Sequence, residues 1–243
     1  NDIRITQGKA YLATNFGLTI LNVEHKVFEA TYILGKVTHS CTEIDGHIYA
    51  ATADGMYKGN TKDNLLDTSH WHQLNTTVYT ALTDFAGSLI GLKAKESVYS
   101  INTTDGTATM LRKGPIHFMH STDGRLIAGN KTNVFVYHSL TDFISLTLDG
   151  TVTYLTADGD TYWSCNGTGG LNGYQYNKES KSVTRTVTGI IPNSPIRNHC
   201  QYLSFVDDER LLVAGGTINY HDDPALHRTA TLMMYEDNTW HSF

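Results

Sequence analysis

Short runs in which apolar and polar residues alternate, each bounded by a glycine-centred turn, recur along the whole chain. The clearest lies at residues 45–57, DGHIYAATADGMY, which reads as an Asp-Gly turn, a strand, a second turn at Asp54-Gly55 and the start of another strand. The same phrase stands at residues 8–20, GKAYLATNFGLTI, with Tyr11, Ala13 and Thr14 in the places of Tyr49, Ala51 and Thr52. Further copies open at Gly87, Gly124 and Gly159, and Glu209 takes the turn-glycine place in a sixth. From turn to turn the steps are 38, 41, 37, 35 and 50 residues.

Each unit of about 40 residues holds four strand-like runs, A to D, and no window places apolar residues at helical spacing. Four antiparallel strands repeated at this period predict an all-β fold, a β-propeller of four-stranded antiparallel blades. Six blades are visible, at 1–36, 37–76, 77–114, 115–149, 150–196 and 197–243, within a single domain spanning 1–243. The ring either closes with six blades or forms part of a seven-bladed one, because the first run is an A strand and the last a D strand. Alternation places Tyr11 with Ala13, and Tyr49 with Ala51, on one face of a blade against its neighbour. The small residues Ala51, Gly91, Ala128 and Ala214 suit the crowded inner positions, so the repeated phrase is a packing element.

Composition agrees and narrows the partners. Tyr 14, Gly 21 and only 4 Pro fit strands joined by glycine turns, and 40% hydrophobic residues suffice for a core. A net charge of -6 with no basic run argues against nucleic acid. No apolar stretch approaches the roughly 20 residues of a membrane span. No signal peptide precedes Asn1 and no initiator Met is present, which suggests a trimmed or excised piece. Cys41, Cys165 and Cys200 form an odd set without CxxC spacing, so they read as buried hydrophobes, with no zinc site or disulfide framework. Sequons at Asn75, Asn102, Asn130 and Asn166 report polar loops.

Loop length singles out one region. The B-to-C connection is about three residues in the first blade, but spans 166–172 in the fifth and 215–229 in the sixth, with a long D-to-A connection at 188–198 between them. These loops carry Asn166, Asn172, Arg197, Asn198, His199, Asn219, Tyr220, His221, Asp222, Asp223, His227 and Arg228, a set suited to hydrogen-bonding a polar ligand such as a sugar. A solvated lid over a blade junction is the competing reading. No metal site is expected, since consecutive residues such as His221-Asp222-Asp223 rarely converge on one ion, and no cofactor is indicated. His70 and His72 flank Trp71, and Trp240-His241 takes the matching place in the sixth blade, as a blade-edge packing element. His39 and His117, each seven residues before a turn glycine, could line a central channel. Asp45, Asp123, Asp158 and Asp208 fall at A-to-B turns, and GxSxG, HExxH and phosphate-loop signatures are absent, so the chain reads as non-enzymatic.

The phrases YLATNFGLTILNVEHKVFEATYILG and IYAATADGMYKGNTKDNLLDTSHWHQL resemble the amino-terminal propeller of PorZ-type surface proteins of the type IX secretion system in Bacteroidota. The DGxIYAAT grammar is also similar to two-component regulator propeller repeats of periplasmic sensors in the same bacteria. The likeness is fullest over 1–76 and in the closing stretch with MMYEDNTW. What the resemblance implies is a large extracytoplasmic protein with two seven-bladed propellers and a carboxy-terminal sandwich. It would act at the cell surface with other secretion proteins, joining cargo to anionic lipopolysaccharide. This chain departs from that plan in showing six blades, no second propeller and no sandwich, and no family binding residue can be carried over. The resemblance thus implies a PorZ-like assembly or ligand-recognition module, with a periplasmic glycan sensor of a hybrid two-component system as the alternative.

Overall fold

The computed structural model describes residues 1–6, 8–93, 96–191, 193–195, 202–215 and 231–243. The chain divides into two compact units, Asn1–Ile190 and Ile191–Phe243. In the first, blade one comprises β1 (Asp2–Thr6), β2 (Lys9–Ala13), β3 (Gly17–Asn22) and β4 (Val27–Ile33). Blade two has β5 (Thr38–Ile44), β6 (His47–Thr52), β7 (Gly55–Asn60) and β8 (Trp71–Asn75), and blade three β9 (Ala81–Phe85), β10 (Ser88–Lys93), β11 (Ser97–Ile101) and β12 (Ala108–Lys113). Blade four runs through β13 (Phe118–Thr122), β14 (Arg125–Gly129), β15 (Asn133–Tyr137) and β16 (Phe143–Thr147). Blade five holds β17 (Tyr154–Asp158), β18 (Thr161–Cys165), β19 (Leu171–Asn177) and β20 (Ser182–Ile190). Every sheet is a four-stranded antiparallel meander in chain order, the arrangement of a β-propeller blade.

The repeated phrase has a local physical cause. At the A-to-B turn of blade two, Asp45 and Gly46 both take positive φ (48° and 70°), which matches the right-handed twist of a two-residue hairpin. Asp123-Gly124 and Ala86-Gly87 repeat that corner. At the B-to-C turn the threonine hydroxyl closes the loop on the glycine: Thr14 Oγ1 donates to the Gly17 carbonyl at 3.0 Å and Thr52 Oγ1 to that of Gly55 at 2.8 Å. A Cβ on Gly17 would stand 2.0 Å from the Tyr32 carbonyl oxygen, and one on Gly55 2.4 Å from that of Asn75, so strand D closes over these glycines. The tyrosine and alanine of the phrase pack outward from the blade. Tyr11 and Ala13 meet Cys41, Ile48 and Ala50, whereas Tyr49 and Ala51 meet Tyr79, Leu82 and Leu89.

Four apolar clusters fill the seams between consecutive blades of this unit. The inner strands β1, β5, β9 and β13 neighbour one another in turn, and the D strands form the rim. Trp71 is buried at the seam of blades one and two, edge-on to Tyr32 at 5.8 Å, and its Nε1 donates to the Leu65 carbonyl at 3.0 Å. That bond ties the long C-to-D loop of blade two to its own sheet.

In the second unit, β21 (Tyr202–Phe205), β22 (Leu211–Gly215), β23 (Thr231–Glu236) and β24 (Thr239–Ser242) form a sixth meander around the buried Val213 and Met233. Trp240 packs on Tyr235 at 5.2 Å between ring centroids, and its backbone N–H donates to the Asn193 side chain. At the turn between β21 and β22, Asp207 accepts the N–H groups of Glu209 and Arg210. At this turn the carboxylate that caps the backbone is thus that of Asp207, next to Asp208.

Candidate functional site

The inner strands of the first unit carry a network of polar contacts between blades. In β1, half-buried Asp2, Arg4 and Thr6 alternate with exposed Ile3 and Ile5, so the polar set turns to one side of the strand. Asp2 pairs with Arg4 (Nε to Oδ2, 2.8 Å) and accepts from Ser40 of blade two at 2.6 Å. Ser40 is fully buried and accepts in turn the Leu82 N–H of blade three at 2.9 Å. Thr83 of β9 meets Ser121 of β13 at 2.6 Å, oxygen to oxygen. Arg4 Nη2 then reaches the Met119 carbonyl of blade four at 3.1 Å, a contact between residues 115 positions apart. Four blades are thereby joined by side chains from their innermost strands. Both sides of the Ser40 hydroxyl are committed to these bonds, which fits it for holding blades together and not for attack on a substrate.

At the A-to-B end of these strands lies a cavity of about 300 Å³ lined by Thr6, Asp84, Ser121, Thr122 and Asp123 among others. A second, outer cavity of about 530 Å³ is lined by His47, Lys58, Asp63, His72, Gln73 and Asp105, at blades two and three. A third histidine, His120, is buried at the seam of blades four and five beside this network. His117 is exposed just ahead of β13 and His39 is half-buried in β5, while His120 is 4% exposed. Its ring stacks on Tyr154 of β17 with centroids 4.4 Å apart and planes 11° from parallel. Burial, with a smaller contribution from Arg4, lowers its pKa to about 4. The alternation Phe118, His120 in β13 was the available signal: an imidazole on the face that carries an aromatic into the blade seam.

Of the residues expected in the enlarged loops, the structure describes Asn166 and Asn172. Asn166 ties its turn to the connection between β16 and β17, donating from Nδ2 to the Asp149 carbonyl at 3.0 Å and accepting from the Ser164 hydroxyl. Asn172 is buried and accepts the Gly189 N–H at 3.0 Å. Both side chains thus shape blade five. Arg197, Asn198, His199, Asn219, Tyr220, His221, Asp222, Asp223, His227 and Arg228 lie outside the described residues. Among the described residues no group of three or more His, Cys, Asp or Glu could hold a metal ion, and no helix is long and apolar enough to cross a membrane.

Residues 1–72 match the family described as the amino-terminal β-propeller domain of PorZ of the type IX secretion system. The whole chain superimposes on PorZ of Porphyromonas gingivalis, an essential surface component of that organism's type IX secretion system, with a TM-score of 0.76 at 20% identity. The fold is that of a β-propeller similar to the one in PorZ. The chain spans 32% of that PorZ structure, about a third of its length. Another similar structure is YCF48 from Cyanidioschyzon merolae (TM-score 0.57, 11% identity, 100% of this chain and 84% of that one). A YCF48 structure bound to a D1 peptide is also similar (TM-score 0.55, 12% identity, 99% and 79%). No curated protein sequence matches the chain.

Proposed function

We propose that this PorZ-type propeller is a non-enzymatic module of a secreted or surface-attached bacterial protein, serving assembly in type IX secretion and surface attachment. The observation that carries the reading is the likeness to PorZ over the full chain, with the family match at 1–72 beneath it. A non-catalytic role is supported by the inner network, where Asp2 is held by Arg4 and Ser40 and the polar groups serve the joints between blades. In this reading the protein acts outside the cytoplasm, with other surface or secretion proteins as partners. The loops of the sixth blade, with Arg197, His199, Tyr220 and Asp222, supply contacts to a lipopolysaccharide or other glycan.

The test is genetic and biochemical. Deleting the segment in frame from its gene in the encoding bacterium is expected to leave type IX cargo off the cell surface; normal surface display of cargo would refute the assembly role. For the loops, Arg197→Ala with Asp222→Ala should weaken binding of a glycan panel by tenfold or more without lowering the melting temperature. Unchanged affinity across the panel would remove those residues from the site.

A further inference from the structure

His120 is the buried titratable group that the assembly reading leaves without a task. Neither ring nitrogen has a hydrogen-bond partner, although an imidazole always carries polar nitrogens and leaving them unpaired costs free energy. The ring is held only by packing, face to face with Tyr154. Tyr154 also lies against Phe118 at 5.8 Å and is 43% exposed, so one side of the stack faces outward from the seam between blades four and five. The groups around the stack come from three elements besides β13. β1 brings the Arg4 cation, anchored on the carbonyl of the adjacent Met119, and the Asp2 carboxylate, which is already engaged by Arg4 and Ser40. β17 brings Tyr154, and β18 brings Cys165, which acts on the phenol.

We propose that His120 and Tyr154 form an acid-released latch between blades four and five: protonation of the imidazole puts a second cation beside Arg4 in the seam, and the rings part. The direction follows from linkage. The closed imidazole titrates at about 4 because burial and Arg4 oppose its charge, whereas an exposed one titrates at about 6.5. The closed seam therefore binds protons less readily than the open one. Its stabilisation is complete above pH about 6.5 and is lost as pH falls towards about 4. Over that window the open population rises by up to tenfold per pH unit, about 30-fold between pH 7.5 and 5.

Amide hydrogen exchange of the whole chain, corrected for the intrinsic rate, reads this opening at residues 118–122 and 154–158. The expected result is a rise of about 30-fold in wild type between pH 7.5 and 5, with a flat profile in His120→Phe, which keeps a ring on Tyr154 but cannot titrate. Equal pH dependence in the two proteins would overturn the latch. Should His120→Phe fail to fold, NMR titration of the wild-type imidazole decides alone: a midpoint below pH 5 supports the latch, and one near 6.5 overturns it.

Discussion

Ser40→Ala is the sharpest test of the inner network. The hydroxyl lies in a fully buried residue, donates to the Asp2 carboxylate at 2.6 Å and accepts the N–H of fully buried Leu82 at 2.9 Å. Its removal strands the Leu82 N–H in the seam, which costs about 1–3 kcal/mol. It also removes a bond to a charged acceptor, of similar size in a dry site but smaller here, because Asp2 keeps Arg4 and is 24% exposed, so water can replace the hydroxyl. A loss of about 2–3 kcal/mol is expected, or about 5–10 °C in melting temperature for a domain of this size. Urea unfolding of wild type, Ser40→Ala, Asp2→Ala and the double variant completes a cycle, in which a coupling of about 1 kcal/mol is expected between residues sharing a hydrogen bond. A Ser40→Ala protein within about 0.5 kcal/mol of wild type, or strictly additive effects, would refute the claim that this hydroxyl joins the blades.

Gly55→Ala should cost about 3 kcal/mol in urea denaturation, since φ is +131° and the new Cβ would meet the Asn75 carbonyl. Gly35→Ala, at φ +68° with nothing within 4 Å, should cost only about 1 kcal/mol, and equal effects would count against the clasp. Trp71→Phe should lose about 1–2 kcal/mol with the bond to Leu65, and limited proteolysis should then cut first at 61–70; a cleavage pattern like that of wild type would show the loop is anchored otherwise. Cys41, buried and with its thiol pushed up to about 12, should resist iodoacetamide at pH 8 in the folded protein while half-buried Cys165 reacts. Labelling of Cys41 at the rate of Cys165, followed by peptide mass spectrometry, would contradict its burial.

The blade grammar was readable because its causes are local. The corner at Asp45-Gly46, the threonine clasp at Thr52 and the outward Tyr49 are fixed by residues within a few positions of one another, and each recurs at the blade period. All six predicted blades enclose a four-stranded sheet. The inner network was not readable, because apart from the Asp2–Arg4 pair within β1 its bonds join different blades: 38 positions separate Asp2 from Ser40 and 42 separate Ser40 from Leu82. Counting back from turn glycines singles out His117, just ahead of β13, whereas the alternation inside that strand is what carries His120 into the seam. Loop length, which drew attention to Asn166 and Asn172, measures how much chain leaves a blade but not whether its side chains are taken up by backbone of neighbouring segments, as at Asp149 and Gly189.

The bond from Arg4 to the Met119 carbonyl has a bearing on the order in which the chain folds. Hairpins within a blade close over a few residues, but this contact joins positions 115 apart and forms only once the intervening blades have stacked. It therefore belongs on the native side of the folding barrier. Replacing Arg4 by Met should leave the refolding rate nearly unchanged and speed unfolding, so that stopped-flow kinetics shift the unfolding limb alone. The amino-terminal strand then acts as a late clamp, whose strength sets the lifetime of the assembled blades more than the speed at which they assemble.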